Sequence, residues 1–127
     1  MNPKPQIFQQ EGYDFMAAAF EVYNHLGAGF LEDVYHEALE LELSSRGISH
    51  TSRPRLALHY KGHSLRKHYE ADLIVNDEII VELKAVKALQ PEHEAQLLNY
   101  LKATGKRVGY LVNFSAFPKL EWKRMVL

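Results

Sequence analysis

Two acids and a lysine lie in a segment whose other residues are mostly apolar. Asp72 interrupts the first of two apolar runs, and Glu82 and Lys84 end the second. Buried strands seldom carry charge unless that charge is paired or binds a metal. Carboxylates placed in this way can hold a hard cation beside a phosphate. The segment therefore predicts either a metal-assisted phosphoryl site or a structural ion pair on a half-exposed sheet.

The turn between the two runs decides whether these charges can meet. Side chains alternate along a strand, so Glu82 and Lys84 share one face. A two-residue turn would put Asp72 on the opposite face, whereas an odd loop, such as residues 75–77, would pair Asp72 with Ile80 and place it diagonal to Glu82. A shared site therefore needs an odd loop or a bulge. The other face is then wholly apolar and suits a core: Leu73, Val75, Ile79, Val81 and Leu83.

Composition limits the class of protein. The 127 residues are 46% hydrophobic, have a net charge of -1 and include no cysteine. We expect a loose arm over residues 1–12 and a single domain over residues 13–127. The charge provides no global basic field for nucleic acid, and the lack of cysteine excludes disulfides and thiolate metal sites. No apolar run approaches the ~20 residues of a membrane span, and the N-terminus lacks the core of a signal peptide, so we expect a cytoplasmic protein without membrane contact.

Hydrophobic periodicity predicts an α-α-β-β-β-α-β order with a possible last strand. Helices are expected over residues 13–26 and 30–46, and a third begins at Pro91 and ends near Gly105. Strands are expected over residues 55–60, 67–75, 78–84 and 107–113, with a possible edge strand over 120–126. The pattern indicates an α/β fold, bordering on α+β, with a mixed central sheet flanked by helices. The second helix is expected to bury one stripe: Leu31, Val34, Ala38 and Leu41.

Polar residues on two helices could reach the charged hairpin. Glu32 lies near the start of the second helix, and Gln96 and Tyr100 are four residues apart on the third. Each has an alternative role, because an acid also stabilises a helix N-terminus and a tyrosine can belong to a core. The histidines show no spacing typical of zinc ligands. A basic cluster over residues 61–67 is interpreted as a solvated hairpin rather than a nucleic-acid patch.

In order along the chain, these residues resemble the PD-(D/E)xK nuclease superfamily, whose restriction-endonuclease-like core has the order α-β-β-β-α-β. The matching pattern is Asp72, then Glu82-x-Lys84, then Gln96-x-x-x-Tyr100, with an acid on a preceding helix. More closely, the segment from Gly29 to Tyr35 is similar to the signature of the GxxExxY protein family. The resemblance covers residues 12–127. It departs from the superfamily where Ala71 replaces the usual proline before the aspartate.

The resemblance implies a role for each matched residue. Asp72, Glu82 and the carbonyl of Leu83 would hold Mg²⁺ or Mn²⁺, with Glu32 assisting directly or through water. Lys84 would position the attacking water and offset charge on the scissile phosphate.

Gln96 and Tyr100 would shape this site. The implied function is a metal-dependent nuclease acting on DNA or RNA, with nucleic acid as its partner. The alternative is a non-catalytic module of the same fold that binds nucleic acid or a partner protein. A small, nearly neutral domain with only local basic patches also leads us to expect a homodimer or a partner protein as an aid to gripping a duplex.

Overall fold

The computed structural model describes residues 7–127, which form three helices and seven strands. In chain order these are α1 (Gln9–Leu26), α2 (Glu32–Ser45), β1 (His50–Ser52), β2 (Arg55–Tyr60), β3 (His63–Glu70), β4 (Leu73–Val75), β5 (Ile79–Lys84), α3 (Pro91–Thr104), β6 (Val108–Asn113) and β7 (Glu121–Val126). Five strands form a mixed sheet in the order β1-β4-β5-β6-β7, and β2 and β3 form a separate antiparallel pair. Only β5 and β6 are parallel among the paired strands of this sheet, and α3 connects them as a crossover. The α/β, restriction-endonuclease-like fold with a mixed sheet between helices is therefore confirmed.

Helices cover both faces of the sheet, which explains why its central strands are nearly continuous apolar runs. On one face, α1 and α2 pack against the apolar side of the β4–β5 hairpin. The five residues predicted for that side all lie in this core: Leu73, Val75, Ile79, Val81 and Leu83. On the other face, α3 and the β2–β3 pair bury a smaller cluster that includes Ile80, Leu97 and Leu101. Side chains alternate along β5, so Glu82 and Lys84 project away from the α1–α2 side of the sheet. They lie, like Ile80, on the side that α3 covers.

The turn between β4 and β5 has the odd length that a shared site requires. Leu73 pairs with Val81 and Val75 with Ile79, which leaves the three-residue loop 76–78. Asn76 and Asp77 adopt the left-handed conformation, with φ of 53° and 59°, which short polar side chains tolerate. The prediction of an odd loop is confirmed. The loop covers residues 76–78 instead of 75–77. Extending the observed strand pairing by one residue therefore places Asp72 opposite Glu82, not opposite Ile80.

The predicted strand over residues 67–75 is wrong, because the structure has two strands there in different sheets. Ala71 N–H donates to the carbonyl of Pro54, and Arg53 N–H donates to the carbonyl of Asp72. Pro54 has no N–H with which to donate a hydrogen bond back to residues 71–72, and Arg53 has a φ of 48°, which is not a strand conformation. The hydrogen-bond ladder between the two segments therefore breaks opposite Ala71 and Asp72. The break separates β3 from β4. It also creates the short polar strand β1, which the hydrophobic pattern did not indicate.

The predicted stripe on α2 is also wrong. Leu31 and Leu41 are 80% and 68% exposed, and the helix instead buries Tyr35, His36, Leu39 and Leu43. The Tyr35 ring stacks on Phe114 with centroids 4.8 Å apart, which fixes the rotation of the helix. At the N-terminus, helix α1 begins at Gln9, so the last part of the predicted arm 1–12 is helical. Residues 1–6 of that arm lie outside the described residues.

Candidate active site

Asp72 and Glu82 meet where β4 begins and β5 ends. Asp72 N–H donates a hydrogen bond of 3.3 Å to Glu82 Oε1, and Leu83 N–H donates one of 2.7 Å to Asp72 Oδ2. These bonds follow from the register, which places Asp72 directly across from Glu82 at the open end of the hairpin. The structure therefore brings together the two acids that the sequence identified, on one side of the sheet.

Burial and the neighbouring Asp72 side chain favour the protonated form of Glu82. Burial, followed by the hydrogen bond between the Asp72 and Glu82 side chains, raises the pKa of Glu82 to about 8. The hydroxyl of Tyr69 donates to Glu82 Oε2 and opposes part of this rise in pKa. A buried carboxyl whose pKa lies this high is neutral when no cation is near, and a cation would favour its ionised form. A cation bound here would therefore be expected to displace the proton from Glu82.

Lys84 follows Glu82 by two residues and therefore projects from the same face of β5. It is half-buried. No ion pair joins Lys84 to an acid anywhere in residues 7–127. The structural ion pair among Asp72, Glu82 and Lys84, which the sequence left open as an alternative, is therefore not formed. The ammonium group is instead available to a further anion at the site.

Glu32 approaches the same place from the opposite layer. It is the first residue of α2 and is half-buried. Burial raises the pKa of its carboxyl, the negative charge of Asp72 raises it further, and the positive charge of Lys84 lowers it. The carboxylate therefore lies within electrostatic reach of both residues. Glu32 also lies in the first turn of α2, where its negative charge interacts favourably with the positive end of the helix dipole, the alternative role weighed from the sequence.

The two predicted α3 residues differ in their relation to the site. The Tyr100 ring stacks on Tyr69 with centroids 3.7 Å apart and 7° between planes, and Tyr69 in turn donates a hydrogen bond to Glu82. Gln96 is exposed one turn earlier, and no hydrogen bond joins it to Asp72, Glu82 or Lys84. The structure thus connects Tyr100 to the carboxylate pair indirectly and leaves Gln96 at the rim.

Tyr69 is a site residue that the sequence did not reveal. Strict alternation through residues 67–75 would place Glu70, rather than Tyr69, on the face of Asp72. The break at Ala71 and Asp72 reverses this expectation, because Tyr69 is buried and reaches Glu82 while Glu70 is exposed. The available signal was Pro54, whose missing N–H interrupts the neighbouring ladder.

The donor set for a metal ion is small. Across the described chain, no group of three or more His, Asp or Glu side chains is arranged to hold a metal ion. Mg²⁺ commonly takes only one or two carboxylates and completes its shell with water and substrate phosphate. A half-buried carboxylate pair that forms no ion pair within residues 7–127 fits that chemistry. We expect a site that binds weakly until a phosphate is present.

Comparison with known proteins identifies the superfamily and supports the fold. The family model described as the PD-(D/E)XK nuclease superfamily matches residues 9–125. The crystal structure of SSO0001 superposes with a TM-score of 0.59 at 17% sequence identity, over 98% of this chain and 62% of that chain. The chain thus spans less than two thirds of SSO0001, and the likeness concerns the fold alone. A search of curated proteins gives no significant match.

Membership is decided at the level of the superfamily. The narrower resemblance to the GxxExxY family stays a prediction. No helix among the described residues has the length and apolar character needed to cross a membrane. Because the family model covers nearly the whole chain, the chain belongs to the PD-(D/E)XK nuclease superfamily.

Proposed function

We propose that this protein is a nuclease that hydrolyses phosphodiester bonds with the help of Mg²⁺ or Mn²⁺. The observation that carries the proposal is the Asp72–Glu82 carboxylate pair, half-buried and without a cationic partner, beside the unpaired Lys84. The superfamily supports phosphodiester hydrolysis in general terms. The metal, the site residues and their roles belong to the proposal.

Asp72, Glu82 and the Leu83 carbonyl would hold the metal ion. The N–H and C=O of one strand residue point to the same side of the strand. Because Leu83 N–H donates to Asp72, the Leu83 carbonyl faces the Asp72 side as well. When bound, the metal supplies polarisation of the phosphate and a lower pKa for bound water. Glu32 would contribute through water, since its carboxylate is within electrostatic reach of Asp72.

Lys84 would bind a phosphate oxygen and stabilise the charge that grows on it during attack. A preorganised donor of this kind typically contributes about 2.7–4 kcal/mol to the barrier, or a factor of 10²–10³ in kcat. Tyr69 would orient the Glu82 carboxylate, and Tyr100 would hold the Tyr69 ring by stacking. Gln96 would contact substrate at the rim, because it is exposed beside this stack.

The test is a cleavage assay with single-stranded and double-stranded DNA and RNA, with Mg²⁺, Mn²⁺ or EDTA. Lys84→Ala should lower kcat by roughly 10²–10³ while the far-UV spectrum is unchanged. The matched control is Lys102→Ala, which removes an exposed lysine from the last turn of α3, at the other end of the sheet. Equal activity of Lys84→Ala and Lys102→Ala would contradict the proposed role of Lys84.

A second candidate function is a non-catalytic binding module. The net charge of -1 favours it, because a domain without a global basic field has little means of holding nucleic acid for cleavage by itself. This alternative predicts nucleic-acid or partner binding without cleavage under any metal. Binding that is retained in Lys84→Ala, together with no cleavage by the wild type, would establish the module and reject the enzyme.

A further inference from the structure

Positive charge is concentrated on the β2–β3 pair. Residues 55–68 contain four of the fifteen Lys and Arg residues, three of the seven histidines and no acid. The rest of the chain has eleven Lys and Arg against sixteen acids, a net charge of -5. We call the pair β2–β3 with its turn, residues 55–70, the basic ribbon. A nearly neutral protein therefore carries a local field that attracts polyanions.

The cations of the basic ribbon are unpaired. None of Arg55, Lys61, Arg66 and Lys67 forms an ion pair with any residue that the structure describes. Arg55, Arg66 and Lys67 line one shallow depression of about 440 Å³ together with His68 and Glu70. Cationic groups on a common concave surface suit the spaced phosphates of a nucleic-acid backbone.

The outer part of the ribbon has solvent on both faces. Every residue from His59 to His68 is exposed, including Tyr60 at 61% and Leu65 at 43%. Only the base of the ribbon is anchored, through Tyr69, Leu56 and Leu58 in the cluster with α3. An isolated two-stranded hairpin is marginally stable in water. A narrow arm that is fixed at one end and free on both sides has the shape of a groove-binding element.

The base of the ribbon adjoins the carboxylate pair. Tyr69, the second-last residue of β3, donates to Glu82, and Asp72 follows the end of β3 by two residues. The eight residues of β3 extend about 25 Å at the rise of a strand. That length corresponds to about seven base pairs of B-form DNA. A duplex lying along the ribbon would therefore bring one phosphate to Asp72, Glu82 and Lys84.

We propose that the basic ribbon binds the major groove of duplex DNA beside the phosphate that is cleaved. The B-form major groove, about 12 Å wide, admits a two-stranded ribbon. The A-form major groove of duplex RNA is too narrow and deep for one. The proposal deepens the proposed function by naming its substrate, and its cleavage part rests on that function. The binding part stands on the charge and shape of the ribbon alone.

The experiment measures binding of labelled duplex DNA, duplex RNA and single-stranded DNA of one sequence by fluorescence anisotropy in EDTA over a series of salt concentrations. The variant is Arg66→Gln/Lys67→Gln, whose exposed positions make loss of folding avoidable. Its control is Lys102→Gln/Arg107→Gln, which removes the same charge from exposed positions at the end of the sheet remote from Glu82.

For duplex DNA, log affinity falls as log salt rises, and this fall should be less steep by about 2 in the ribbon variant than in wild type. The reason is that each cation removed leaves one phosphate with its counterions. The difference in affinity from wild type should shrink about tenfold between 50 and 200 mM salt. The control should keep the wild-type slope, and wild type should prefer duplex DNA to duplex RNA. An unchanged slope in the ribbon variant, an equal loss of affinity in the control, or equal binding of duplex RNA would overturn the proposal.

Cleavage distinguishes this proposal from the proposed function. If wild type cuts no substrate but the ribbon variant loses duplex binding as described, the ribbon is established and the enzyme is rejected. If wild type cuts duplex DNA and the ribbon variant cuts it with the same KM, the enzyme stands and the ribbon proposal is refuted. A raised KM with unchanged kcat in the ribbon variant would support both.

Discussion

Replacing Glu82 by glutamine should remove a loss of stability that the metal-free wild type suffers as pH rises from 5 to 8. Glutamine keeps the shape of the side chain and does not ionise, so it carries the charge of the protonated acid at every pH. The folded-state pKa of Glu82 is raised from 4.5 to about 8. Below the unfolded pKa both states hold the proton, and between the two pKa values only the folded state holds it. The wild type therefore loses stability as pH rises through this window.

The size of the effect follows from the shift. One pKa unit corresponds to 1.36 kcal/mol, so the shift sets an upper limit of about 4–5 kcal/mol. Because Glu82 interacts closely with Asp72 and the site is partly open to solvent, we expect about 2 kcal/mol between pH 5 and pH 8. Typical unfolding free energies of 5–15 kcal/mol make a change of this size measurable.

Urea unfolding in EDTA at several pH values measures this change. The free energy of unfolding of Glu82→Gln minus that of wild type should grow by about 2 kcal/mol from pH 5 to pH 8. Because both proteins contain the same seven histidines, the effect of histidine titration on stability drops out of this difference. Glu92→Gln, at an exposed position of α3, controls for the loss of one acid. Mn²⁺ should stabilise the wild type at pH 8 more than it stabilises Glu82→Gln. A difference that stays constant with pH would refute the buried-proton argument.

Three further outcomes follow from specific interactions. Tyr69→Phe removes a hydrogen bond that lowers the pKa of Glu82, so the pH profile of cleavage should move to higher pH; an unmoved profile would show that the hydroxyl does not tune the acid. Tyr35→Phe should cost about 1–3 kcal/mol in urea unfolding, because the Gly27 carbonyl and the Phe30 N–H would lose their partner; an unchanged free energy of unfolding would contradict this. Gly12→Ala should cost about 1–3 kcal/mol by the same measurement, since its Cβ would lie 2.0 Å from the Tyr110 hydroxyl; wild-type stability would contradict this close approach.

The parts of the site that the sequence predicted depend on local rules. Alternation puts Glu82 and Lys84 on one face, and polar residues at 76 and 77 permit the odd loop that brings Asp72 to the same place. The third helix begins at Pro91 as predicted and ends at Thr104, before Gly105 with a φ of 80°. Each of these features is decided within a few residues along the chain.

The features that the sequence missed depend on residues far apart in the chain. Residues 67–75 alternate like one strand, and the break comes from Pro54 on the neighbouring strand. The rotation of α2 depends on Tyr35 stacking against Phe114, which is 79 residues further along the chain. Periodicity alone placed the apolar stripe about one residue away from Tyr35, which turns a helix by roughly 100°. Tyr69 was missed for the same reason as the strand break.

The segment from Gly29 to Tyr35 divides into positioning groups and one candidate for chemistry. Gly29 has a φ of 108°, a conformation that side chains disfavour, and it completes the loop before α2. The Tyr35 hydroxyl donates to the carbonyl of Gly27 at 2.5 Å and accepts from Phe30 N–H at 3.1 Å. These bonds tie the loop to the first turn of α2, whose first residue is Glu32. Gly29, Glu32 and Tyr35 are each three residues apart, and they occupy the loop, the first position of the helix and the end of its first turn. This spacing places the Glu32 carboxylate within electrostatic reach of Asp72 and Lys84.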